Sequence, residues 1–119
     1  MRPPAARLEG FDVALSAAYW GRWQVLQQLD QEGADLTHRW GCPDTLGELN
    51  LVGFVLSSYH DHAENGLITA ALHDDFLTTL ALAVDAAGPV ALVPGPAPLA
   101  LVLVDKLRAA GVEIAFSGW

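Results

Sequence analysis

The residues of this chain that could do chemistry fall into short clusters. Ser16, Tyr19, Trp20 and Arg22 stand together first, followed by His38, Arg39 and Trp40. Ser57, Ser58, Tyr59, His60, Asp61 and His62 form the densest group, and His73-Asp74-Asp75, Pro94-Gly95-Pro96 and Ser117-Gly118-Trp119 come after it. Every tryptophan except Trp23 belongs to one of these clusters. Aromatic rings beside hydroxyls and an arginine suit a site that stacks on a flat ring and hydrogen-bonds a sugar or phosphate. Ser16, Trp20, Arg22, His38, Arg39, Trp40, Ser57 and Gly95 are therefore the candidate substrate-binding residues, with Tyr19 beside them.

A different chemistry is open to His60-Asp61-His62-Ala63-Glu64 taken with His73-Asp74-Asp75. On an extended segment a His-x-His pair projects both rings to one side, so His60, His62 and His73 could serve a metal-dependent hydrolase. No HExxH spacing fixes such a geometry, and a solvated histidine-rich loop has the same composition. No metal or other cofactor is assigned on this basis. GxGxxG, GxxxxGK[ST] and GxSxG are all missing, which removes the usual dinucleotide, P-loop and esterase readings. Cys42 is a lone thiol with no basic neighbour in sequence, a poor nucleophile.

The 119 residues allow one domain of ordinary size, read as a tail over 1–9 and a single domain over 10–119. With 52% hydrophobic and 17% charged residues the chain carries enough apolar material for a packed core. Six Lys and Arg against fourteen Asp and Glu leave a formal charge of −8, which would repel a phosphate backbone; nucleic acid is not an expected partner. A single cysteine fits a reducing, cytoplasmic setting. Met1 to Glu9 lacks the apolar core of a signal or anchor. Ala86 to Val104 is an uncharged run of membrane-spanning length, but Pro89, Pro94, Pro96 and Pro98 break it, so a strand, a proline loop and a helix are expected and no membrane partner.

The elements that would position the clusters read as alternating strands and helices. Phe11 to Ala17 alternates as a strand; Trp23, Leu26 and Leu29 repeat at helical spacing up to Gly33; Ala34 to Thr37 resumes as a strand. Leu51 to Leu56 reads as a buried strand and Leu67 to Ala87 as a helix. Val90 to Val93, Leu99 to Ala110 and Val112 to Phe116 read as strand, helix and strand, with Gly111 as the stop. The expected class is α/β: a small doubly wound, mostly parallel five-stranded sheet of flavodoxin or Rossmann type with helices on both faces. In such sheets ligands bind beyond the carboxyl ends of the strands, where the clusters fall. A competing reading takes Ala17 to Asp35 as the second half of an ankyrin repeat, although the pattern does not recur at about 33 residues.

Ala18-Tyr-Trp-Gly-Arg22, the strand closing in His38-Arg39-Trp40, and Val90-Ala-Leu-Val-Pro-Gly-Pro96 together resemble the nucleoside 2-deoxyribosyltransferase family. The resemblance implies a nucleoside or nucleotide as ligand, and cleavage or transfer at its N-glycosidic bond through a carboxylate nucleophile. Asp75 stands in the stretch comparable to the family's catalytic glutamate, without the glycine that usually follows. Glu64-Asn65-Gly66 keeps glutamate and glycine at a different spacing. Tyr19 would orient the carboxylate or the sugar. The departure at the nucleophile leaves open a catalytically silent ligand-binding or protein-interaction domain, and Asp74 and Asp75 would equally suit an acidic helix start. The family also implies a homodimer or larger homo-oligomer.

Overall fold

Alanine spacing decides the first described element. The computed structural model describes residues 13–37, 40–42, 47–88, 90–93 and 101–116, and residues 13–20 form a helix, α1. Ala14, Ala17 and Ala18 are buried at the i, i+3, i+4 positions that put them on one face. The expected strand over Phe11–Ala17 is thus a helix as far as it is described. The same large and small residues that alternate as a strand place their small members on one helical stripe.

Helix α2, Trp23–Gln31, follows a two-residue turn and buries Leu26, as its spacing predicts. Gly21 and Gly33 take positive φ values of 65° and 81° behind α1 and α2. In both places the next amide reaches back five residues, Arg22 N to Ala17 O at 2.8 Å and Ala34 N to Leu29 O at 3.0 Å. These are Schellman closures, in which a left-handed glycine lets otherwise orphaned carbonyls find donors. The expected strand over Ala34–Thr37 is instead a turn, tied by Thr37 N donating to Asp35 Oδ1 at 3.1 Å.

Two strands that the sequence reading did not anticipate come next. β1, Trp40–Cys42, pairs antiparallel with β2, Gly47–Leu49, with Trp40 opposite Leu49. Then α3, Leu51–Glu64, occupies the whole of the expected Leu51–Leu56 strand. Asn50 caps it, its side chain accepting from Gly53 N at 3.1 Å. Val52, Val55, Tyr59 and His62 then run down its buried face. A short apolar run does not by itself distinguish a buried strand from a buried helix; here the cap and the later i, i+3 repeat decide. α4, Ala70–Ala87, lies within the expected helix and is capped by Thr69, whose Oγ1 accepts from Leu72 N at 3.0 Å. Asp74 and Asp75 therefore stand beyond the first turn, which contains no acidic residue.

The last passage follows its sequence closely. β3, Val90–Val93, leads through the described part of the crossover, α5, Leu101–Ala109, to β4, Glu113–Phe116. The strands pair in parallel from Val90 opposite Glu113 to Val93 opposite Phe116. The doubly wound five-stranded sheet is overturned: the described residues are mostly helical and hold two separate two-stranded sheets. Among them no helix is long and apolar enough to cross a membrane.

The helices stack as pairs. Tyr19 and Trp20 at the end of α1 meet His62 near the end of α3, so the C-terminal end of α1 rests against that of α3. The α1–α2 turn at Gly21 faces Leu72 and Phe76 in the first half of α4, and α2 packs along α4. The pairs α1–α2 and α3–α4 thus touch through α2 and α4 and through the end of α1, with the β1–β2 hairpin between them in sequence. Alanines on the buried face of α1 let its backbone come close to the second pair.

Candidate functional site

Six rings form a continuous line across the two helix pairs. Trp20 meets Tyr19 edge-on at 5.0 Å between centroids, and Tyr19 and Trp20 sit 4.9 and 5.5 Å from His62. His62 in turn meets Phe76 at 5.4 Å, Phe76 meets Tyr59 at 5.4 Å, and Tyr59 reaches His73 at 5.7 Å. Most of these contacts are edge-to-face, the arrangement favoured by the ring quadrupole. The line runs from surface to core: Trp20 is 51% exposed and Tyr19 37%, whereas His62 is 4% and Phe76 0% exposed.

Two polar contacts hold the buried rings. His62 Nδ1–H donates to Ser58 O at 2.7 Å, one helical turn back, which fixes the ring plane and presents its Nε2 edge away from the helix. The Tyr59 hydroxyl and His73 Nδ1 share a hydrogen bond of 2.8 Å and tie α3 to α4. The i, i+3 spacings of Tyr59 with His62 and of His73 with Phe76 are the sequence signal for this cluster. Phe76, fully buried, joins His62 to Tyr59 within the line, and the sequence reading placed it only inside the Leu67–Ala87 helix.

The expected metal group is not assembled. His60 and His62 lie on a helix rather than an extended segment, so two residues turn their side chains about 200° apart. His60 Nε2 stands 3.4 Å from Glu64 Oε2 on the following turn, while His73 is engaged by Tyr59. Among the described residues no set of three or more His, Cys, Asp and Glu side chains is placed to hold a metal ion. His60 Nδ1 is buried without a hydrogen-bond partner.

The other candidates scatter. Ser16 and Arg22 line one pocket of about 300 Å³ between α1 and α2, together with Val13, Ala17 and Val25. Neither Tyr19 nor Asp75 lines it. Asp75 is half-buried on α4, and its backbone carbonyl accepts from Thr79 Oγ1 at 2.7 Å. Glu64 is exposed at the end of α3, and Ser57 is half-buried in the middle of that helix. Trp40 is described only as part of β1, and His38, Arg39 and Gly95 lie outside the described residues. Because the expected first and third strands are helices, Ser16, Tyr19 and Ser57 stand within helices and not beyond strand ends.

Set against known protein families, curated proteins and solved structures, the chain shows no significant match.

Proposed function

We propose that the chain is a catalytically silent protein-interaction module, binding through the end of the helical stack that displays Tyr19 and Trp20. The observation that carries this reading is the exposure of two large aromatic side chains held in place by a buried histidine. Rings already fixed before binding lose little conformational freedom, and Tyr and Trp are the commonest energetic anchors of interfaces. With a formal charge of −8, the complementary partner is a basic segment carrying an apolar side chain.

Selection of peptides from a random display library against the full chain tests this. Basic sequences should be enriched, and their affinity should fall about thirtyfold in Trp20→Ala, the loss of one anchor of about 2 kcal/mol. Selected peptides that bind Trp20→Ala and Tyr19→Ala as tightly as the parent would refute it. Sedimentation of the same samples checks the expected homo-oligomer, which mutual repulsion of like-charged copies opposes.

A second reading, nucleoside or nucleotide binding as in the family resembled, draws on the sharing of one pocket by Ser16 and Arg22. Its volume is at the low end of small-molecule sites. Since Asp75 is not in the lining, the pocket supports binding and not bond cleavage. Release of free base from a nucleoside panel, abolished by Asp75→Asn, would establish the glycosidic step; no release and no thermal shift would leave the interaction reading alone.

A further inference from the structure

A second cavity, lined by none of the rings of the aromatic line, lies between α4 and α5. It measures about 450 Å³, within the range of sites for small organic ligands. Leu77, Leu80 and Val84 of α4 form one wall, Leu107 of α5 the other, and Val112 lies beside them. Lys106 is the single charged side chain in the lining and the single lysine of the chain. It makes no ion pair among the described residues and sits in the last turn of α5.

We propose that this groove binds a free, medium-chain amphiphilic carboxylate. Its hydrocarbon body would cover the leucines and Val84, and its carboxylate would meet Lys106 Nζ at the rim. Charge complementarity selects this occupant. An apolar trough alone would accept any greasy molecule, but an ammonium in its lining, with no ion pair among the described residues, gives an anionic head a partner there despite the overall negative charge. A second copy of the chain is disfavoured at the same face by like charge. The site is independent of the surface at Tyr19 and Trp20, so the two readings stand or fall separately.

Calorimetric titration of the full chain with decanoate, below its micellar concentration, tests the proposal against 1-decanol as the uncharged analogue. Decanoate should bind saturably at one site and more tightly than 1-decanol. Lys106→Gln should weaken decanoate three- to tenfold, roughly the loss of one partly exposed charge-assisted contact, and leave 1-decanol unchanged. Ala81→Trp and Ala110→Trp, which place an indole in the groove from exposed positions on its two sides, should each abolish binding. Far-UV circular dichroism of each variant verifies the fold. Absence of saturable binding, equal affinity for acid and alcohol, or full binding by the folded tryptophan variants would overturn the proposal.

Discussion

Asn50 performs two tasks with one side chain, and removing it should cost more than a helix cap. Its carboxamide oxygen accepts from Gly53 N at the start of α3, while its Nδ2 donates to Val90 O in β3. The residue and its bond to Gly53 are buried and the bond to Val90 is part-buried, so water replaces the first partner poorly. Loss of an Asn cap costs about 1 kcal/mol. Leaving the part-buried Val90 carbonyl without this donor adds about 1–2 kcal/mol. Asn50→Ala should therefore lose about 2–3 kcal/mol, a large part of the roughly 5–15 kcal/mol typical of a domain. Asn50→Ser separates the two tasks: serine keeps the cap but is too short to reach Val90, so only about half of the loss should appear. Urea unfolding followed by far-UV circular dichroism reads both values. Asn50→Ala within 0.5 kcal/mol of the parent, a bound well below about 1 kcal/mol for the cap alone, would refute the bridging role. Asn50→Ser as damaging as alanine would refute the division between cap and bridge.

Two further substitutions probe the joint between the helix pairs. At Gly21 an added Cβ would lie 3.5 Å from Leu72 Cδ1 and from Phe76, ordinary contact, so Gly21→Ala should lose about 1–2 kcal/mol from its φ of +65° alone, with Gly21→Asn losing less; equal stability of all three proteins by thermal melting would contradict this. Phe76→Ala should lose about 3–5 kcal/mol and flatten the near-UV dichroism of the aromatic line, whereas a loss below about 1.5 kcal/mol would show that Phe76 does not join His62 to Tyr59 in a packed core.

The sequence was informative where two signals agreed and misleading where one stood alone. α2, α4 and the closing strand–helix–strand passage each combine a periodic apolar pattern with a terminal glycine or cap, and all lie where that pattern puts them. Residues 51–56 offered only apolar content, which a buried strand and a buried helix share, and residues 13–17 only the end of a short alternation. Asn50, three residues before the glycine whose amide it accepts, carried the missing information. The error then propagated: with two helices read as strands, Ser16, Tyr19 and Ser57 became strand-end residues, and a doubly wound sheet seemed required. The passage over Ala17–Asp35, set aside because it does not recur at a fixed interval, does form a helix–turn–helix end in α1 and α2. Within the site, Tyr19 and Trp20 were picked out by residue type, but their support by His62 and Phe76 depends on packing between helices far apart in the chain.

The Asn50 bridge also bears on the order in which the molecule assembles and opens. The α1–α2 and α3–α4 pairs join neighbours in sequence, so their contacts close short loops and can form early. β3 and β4 cannot pair until the chain has travelled through α5, which makes that parallel pair a late unit, packed on the same core as the helices. By fastening β3 to the first turn of α3, one buried carboxamide links the late unit to the early one. Amide exchange in β3 should accordingly report on the helical stack as well as on its own strand partner, so that two architecturally distinct halves melt as one cooperative body.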